Sequence, residues 1–132
     1  MNFNWSGKRV LVTGAGGFIG SHLTQHLVEL GAEVRAFIRY NSRADIGLLA
    51  YLPSDLLDQV VIIPGDLRDM HGVLSAVQGT DMVFHLGALI AIPYSYLHPA
   101  EVVETNVTGI LNILLAARQH RTPRVIHTST SE

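Results

Sequence analysis

Residues 13–20 read Thr-Gly-Ala-Gly-Gly-Phe-Ile-Gly, a spacing that suits phosphate chemistry. Gly14, Gly17 and Gly20 recur at every third position, with Gly16 between the first two. Gly14 permits a tight turn, Gly17 lets backbone approach a pyrophosphate, and Gly20 lets a following helix pack closely on its strand. Free N–H groups where that helix begins, around Phe18 and Ile19, would face phosphate oxygens together with the positive end of the helix dipole. A glycine triple can also be plain turn. Here it follows a strand-like Arg9-Val10-Leu11-Val12 and precedes Ile19, Leu23, Leu27 and Leu30 at helical spacing, which makes it a dinucleotide-binding turn. A second clue is Arg39-Tyr40-Asn41-Ser42-Arg43, with no carboxylate before Asp45. An acid at the end of the second strand would hold the ribose 2′-hydroxyl of NAD, whereas Arg tolerates the 2′-phosphate of NADP. The usual acidic position falls near Ile38, so Arg39, Asn41, Ser42 and Arg43 favour NADP, with NAD the alternative. The blander possibility is that Arg39 and Arg43 are solvated loop charges. His22 and His26 stand four apart on the first helix, but no third ligand is apparent, and packing or surface roles fit them better than metal binding.

The elements that must position these residues follow from apolar patterning. Short, unalternating runs rich in Val, Ile, Leu and Phe predict strands at 9–13, 33–38, 60–63, 82–85 and 124–128, as for parallel strands buried on both faces. Helical periodicity predicts helices at 18–30, 70–77 and about 99–120, with a broken helical stretch over 45–57 divided at Pro53. Gly31 stops the first helix, and Pro99 suits the first turn of the last. The predicted fold is α/β, a doubly wound parallel Rossmann sheet of five strands in order 3-2-1-4-5 that stops after its fifth strand. Residues 1–132 make one dinucleotide-binding domain with no internal boundary. The ligand crevice should lie beyond the C-terminal ends of the first and fourth strands.

Composition narrows the function classes. Apolar residues make up 48% and charged ones 15%, which is globular. A net charge of -2 without a basic cluster argues against a nucleic-acid partner, and the absence of cysteine excludes disulfides and thiolate metal sites. The polar N-terminus and short first apolar run do not suit a signal peptide, and no segment is expected to reach membrane-spanning length. A cytoplasmic location is the default.

The Thr-preceded Gly-x-x-Gly-x-x-Gly spacing resembles the extended short-chain dehydrogenase/reductase family. Further segments carry the same resemblance. Gly65-Asp66-Leu67 follows the third strand where the family holds an adenine ring; Asp66 or its neighbouring N–H would meet the base edge and Leu67 its face. Asp66 could instead cap the next helix. His85-Leu86-Gly87-Ala88 resembles the family's His-Leu-Ala-Ala segment, whose small residues let backbone approach the ribose and nicotinamide. In the following 92–96 segment, Tyr94 and Ser95 could bond a sugar or diphosphate, or the loop could pack its aromatics on the core. Thr105-Asn106-Val107-Thr108-Gly109 matches Thr-Asn-x-x-Gly, with Asn106 tying helix to strand backbone near the cofactor.

Ser129-Thr130-Ser131-Glu132 resembles the active-site segment of nucleotide-sugar 4,6-dehydratases, particularly the GDP-mannose type; along the chain the legionaminic-type hexosamine dehydratases are most similar. The resemblance implies hydride transfer from sugar C4, elimination of water across C5–C6 and hydride return to C6, on a nucleotide-diphosphate hexose. Thr130 would bond the C4 oxygen and Glu132 would remove the C5 proton; Ser131 stands where some relatives carry an Asp acid. The family's Tyr-x-x-x-Lys pair is missing: the one lysine is Lys8, and no tyrosine has a lysine four residues later. The expectation is therefore an N-terminal, cofactor-binding portion of a larger enzyme, inactive by itself and prone to homo-oligomerise. A 4-epimerase or reductase of the same family, or a non-catalytic dinucleotide-binding module, is the alternative.

Overall fold

In the computed structural model, which describes residues 3–129, five parallel strands form one sheet in the order β3-β2-β1-β4-β5. The chain runs β1 (Arg9–Thr13), α1 (Phe18–Glu29), β2 (Glu33–Arg39), a 3-10 turn (Gly47–Tyr51), α2 (Ser54–Leu57), β3 (Val61–Gly65), α3 (Met70–Val77), β4 (Met82–His85), α4 (Ile92–Leu97), α5 (Pro99–Val103), a π turn (Glu104–Thr108), α6 (Gly109–His120) and β5 (Arg124–His127). This is the doubly wound Rossmann architecture, with the expected strand order.

The sheet divides two apolar layers. Alternation along β1 sends Val10 and Val12 to the face with Leu27, Val28 and Leu49, and Leu11 to the face with Val73, Val77 and Ile113. Arg35 on β2 donates to the carbonyls of Ala76 and Gln78 at 3.0 and 2.7 Å, satisfying the C-terminal end of α3. Gly31, at φ +86°, turns the chain out of α1.

Several boundaries differ from expectation. β3 runs on to Pro64 and Gly65, because an edge strand has a free side on which a missing N–H loses no ladder bond. Residues 92–97 form a helix, with Pro93 in its first turn, where a loop with core-packed aromatics was one expectation; Tyr96 is 81% exposed. Asp66 does not cap α3, since Asp69 takes that place and accepts from the His71 N–H at 3.0 Å. The expectation that no segment reaches membrane-spanning length also fails. Pro99–His120 is one helix of 22 residues, long and apolar enough by composition to cross a membrane. It lies instead along the sheet, with Gly109, Asn112, Ile113, Ala116 and Ala117 buried. Asn106 and Asn112, which interrupt its apolar run in sequence, bond to backbone of neighbouring segments.

Candidate functional site

The turn after β1 brings backbone against backbone. Gly14 sits at φ +67°, and a Cβ there would lie 2.9 Å from the Gly87 nitrogen; one on Gly20 would lie 2.1 Å from the Gly14 carbonyl oxygen. Only glycine at both positions lets β1, α1 and the end of β4 converge. Thr13, fully buried beside this turn, fastens the convergence. Its hydroxyl oxygen accepts N–H bonds from Leu86 at 3.2 Å and Gly87 at 3.0 Å, so its one proton is given to His85 Nδ1, at 2.8 Å. This network assigns buried His85 the neutral tautomer with its proton on Nε2. Burial, then the neighbouring His127 stacked at 5.3 Å, pushes the His85 pKa down to about 4. Sequence patterning carried no sign of this role for His85.

Beyond the strand ends lies a cavity of 1110 Å³. Of the sequence-predicted residues, Gly14, Gly16, Gly17, Phe18, Ile19 and Gly20 form its floor at the start of α1. Leu86, Gly87 and Ala88 line it at the end of β4, with the Leu67 side chain against Gly87, and Asp66, Arg39 and Asn41 line it from the ends of β3 and β2. Phe18 and Ile19 are 73% and 64% exposed, apolar surface turned toward solvent at the glycine turn.

Ser42, Arg43 and Tyr94 are not among the lining residues, although Ser95 is. The 41–45 loop is closed on itself: the Asn41 side-chain oxygen accepts the Arg43 and Asp45 N–H groups, which leaves Ser42 and Arg43 exposed on its outside. The same loop brings in residues that sequence reasoning missed. Asp45, Ile46 and Gly47 line the cavity, and the Leu48 N–H bonds to the Gly16 carbonyl at 2.8 Å, folding this segment over the glycine turn. The Asp45-x-Gly47 spacing was the available signal, for the Asp45 carboxylate accepts the Gly47 N–H at 2.7 Å.

A charged network closes the β2 side. Arg39 donates to Glu101 at 2.7 Å, and the other oxygen of Glu101 accepts the Tyr94 hydroxyl. Those bonds, Tyr94 first and then Arg39, hold the Glu101 carboxyl below its usual range, while Glu101 pushes the Tyr94 phenol up. Arg68 grips Asp66 at 2.6 Å and reaches Glu104 at 3.5 Å; the Asp66 pKa is lowered by the Arg68 bond. Asp66 thus enters the cavity wall as half of an ion pair, with its backbone and Leu67 nearby. The sequence count of acids near Arg39 stopped at Asp45, and Glu101 arrives from another element.

Asn106, within the π turn, donates to the Leu89 carbonyl at 2.9 Å and accepts the Leu89 N–H at 2.8 Å. Both ends of its amide are engaged by the segment after β4. Asn112 likewise donates to the Leu67 carbonyl at 2.9 Å. His127, Thr128 and Ser129 bring the end of β5 to the cavity. Thr130, Ser131 and Glu132, which carry the expected catalytic roles, lie outside the described residues. Among the described residues no group of three or more acids and histidines is placed to hold a metal ion. His22 bonds to the Phe18 carbonyl at 2.8 Å, and His26 lies 3.7 Å from Glu29.

Residues 11–132 match the family described as GDP-mannose 4,6 dehydratase. The chain is 37% identical over 125 residues to a UDP-N-acetyl-alpha-D-glucosaminuronate decarboxylase of Bacillus cytotoxicus, covering 95% of this chain and 37% of the relative. It is 40% identical over 122 residues to a 2-alkyl-3-oxoalkanoate reductase of Stenotrophomonas maltophilia, covering 92% and 33%. The crystal structure of a Thermus thermophilus UDP-glucose 4-epimerase in complex with NAD superposes with a TM-score of 0.73 at 34% identity, over 89% of this chain and 36% of that one. The chain therefore spans about a third of the length of these proteins. The glycine turn, the strand order and the match over nearly the whole chain lead to one assignment: this chain belongs to the GDP-mannose 4,6-dehydratase family, within the extended short-chain dehydrogenases/reductases.

Proposed function

We propose that this chain is the cofactor-binding portion of a nucleotide-sugar 4,6-dehydratase and holds a nicotinamide dinucleotide, NADP in preference to NAD. The observation that carries the proposal is the cradle at Gly14–Gly20. There the N–H groups opening α1 have no intrahelical partners, and backbone from two strands closes in without side chains. The donor set suits a pyrophosphate, and the apolar surface of Phe18, Ile19 and Leu67 beside it suits the uncharged parts of a dinucleotide. When bound, the cofactor would supply hydride acceptance and return. The chain's own contribution is to position it: glycine backbone at the diphosphate, Asp66 and Leu67 toward adenine, and Leu86, Gly87 and Ala88 along the ribose and nicotinamide. Asn106 would act by holding that last segment in place. Arg39 and Asn41 on the cavity wall support the 2′-phosphate form.

In the same proposal Thr130 bonds the sugar C4 oxygen and Glu132 takes the C5 proton as hydroxyl leaves C6, the two together being the water eliminated. Ser95 lies toward the substrate side; the Tyr94 hydroxyl is committed to Glu101 instead. The substrate class is a nucleotide-diphosphate hexose, and the setting cytoplasmic. Likeness to the NAD-bound Thermus epimerase supports a second reading, a 4-epimerase, which would need no base at Glu132.

Isothermal calorimetry of the chain with NADP and with NAD tests the cofactor assignment. Binding of NADP above NAD, with the difference removed in Arg39→Ala, is the expected result. Equal affinities that the substitution leaves unchanged would sink the NADP preference, and no binding of either would sink the site.

A further inference from the structure

We infer that Glu101 is a specificity-determining residue of this site, a displaceable counter-ion on Arg39 that limits how strongly the chain prefers a 2′-phosphorylated dinucleotide. The inference rests on the cavity being a nicotinamide dinucleotide site, and it concerns the adenosine end of that ligand.

Glu101 comes to Arg39 across 62 residues of sequence. It stands on α5, not on the β2 loop where cofactor preference is normally written. Two groups from two other elements hold it: Arg39 at the end of β2, at 2.7 Å, and the Tyr94 hydroxyl from α4. The Glu101 side chain is only 22% exposed, against 64% for Arg39. The acid is therefore the fixed partner, and the guanidinium is the one that faces the cavity.

The local charge balance explains why this matters. Arg39 and Arg68 face three carboxylates, Asp66, Glu101 and Glu104. Both arginines are paired, but Arg68 is held by two carboxylates, Asp66 at 2.6 Å and Glu104 at 3.5 Å. Arg68 is also only 34% exposed against 64% for Arg39, so Arg39 is the cation more open to an incoming anion from the cavity. A 2′-phosphate carries nearly two negative charges, and it gains Arg39 only by displacing Glu101 or sharing the guanidinium with it. It also meets the carboxylate it displaces, which Tyr94 keeps nearby. A 2′-hydroxyl is neutral and can donate to Glu101 or accept from Arg39 without breaking the pair. Glu101 thus penalises the phosphorylated cofactor selectively. It acts through Arg39 and is a positioning residue rather than a catalytic one.

Titrating NADP and NAD into wild type, Glu101→Gln, Tyr94→Phe, Arg39→Ala and the Arg39→Ala/Glu101→Gln double variant tests this, with circular dichroism on each. Glu101→Gln is expected to raise the ratio of NADP to NAD affinity about fivefold or more. Tyr94→Phe, which leaves every charge in place, should move the ratio the same way but less, because Glu101 loses its second anchor. In the Arg39→Ala background the Glu101 substitution should leave the ratio unmoved. A ratio unchanged in Glu101→Gln, with both dinucleotides still binding, overturns the inference while leaving the site intact. So does a parallel loss of both affinities, which is what a merely structural role would give. Binding of neither dinucleotide by wild type overturns the site assignment and this inference with it.

Discussion

At Gly17 an added Cβ would meet only the Gly14 carbonyl oxygen, at 3.3 Å, so a shift of that carbonyl by a few tenths of an ångström admits a side chain where a pyrophosphate would have to lie. Gly17→Val should therefore stay folded with a modest loss of stability and lose measurable dinucleotide binding; a folded variant with unchanged affinity would show that phosphate is bound elsewhere. Gly20→Ala is the contrasting case. Its methyl group would overlap main chain at 2.1 Å and should cost roughly 1–3 kcal/mol in urea unfolding. His85 supplies the pH dependence. The unfolded chain binds its imidazole proton near the ordinary 6.5, and the folded chain near 4. The unfolded state thus holds more protons between these values, so the contribution is complete above pH 6.5 and is lost as pH falls toward 4. Between pH 7.5 and 5.0 this amounts to about 2 kcal/mol. Protonation would also put an N–H against a Thr13 oxygen that already accepts two. His85→Asn should flatten that slope in urea titrations at the two pH values, and an unaltered slope would contradict the assignment.

Among the elements, the 22-residue helix does most to shape the site. Its π turn at Glu104–Thr108 adds a residue to the local winding. Asn106 lies in that turn and bonds Leu89, while Asn112, Ile113, Ala116 and Ala117 are buried further along the helix. Asn106→Ala would leave both the Leu89 N–H and its carbonyl without their partner. Because Leu89 is half-buried and water can reach it, the global cost should be only about 1 kcal/mol. The local effect should be larger: faster hydrogen exchange at the Leu89 amide and weaker dinucleotide binding, with exchange in α6 unchanged. Uniformly faster exchange along α6 would mean that Asn106 serves the helix rather than the site.

For the molecule as a whole, the outer face of this helix leaves Val103, Val107, Leu111 and Leu114 exposed by 58, 59, 50 and 49%. β5 is an edge strand with Ile126 40% exposed. An open parallel edge beside an apolar stripe favours pairing with another copy. Light scattering across a concentration series is expected to show association of this chain, and a monomer at high concentration would refute it. Turnover also belongs to this scale. With Lys8 as the one lysine and no Tyr-x-x-x-Lys pair, the chain by itself should convert no nucleotide-hexose. Appearance of a 4-keto-6-deoxy product would show that the pair is not required.

Sequence alone determined the order of the strands and main helices, the 3-2-1-4-5 sheet and the glycine turn between β1 and α1. Each rests on a local pattern: continuous apolar strands, helical spacing, or glycines fitted between a strand and a helix. Right-handed crossovers then leave little freedom in joining them. The tertiary structure decided which side chains meet. Glu101 reaches Arg39 from 62 residues away, Thr13 reaches His85 from 72, and Asn106, in the π turn, reaches Leu89 from 17. These meetings depend on how three or more elements converge in space. Neighbour counting along the chain therefore overlooked the Arg39 counter-ion and included Ser42 and Arg43, which the loop's own Asn41 bonds hold outside the cavity.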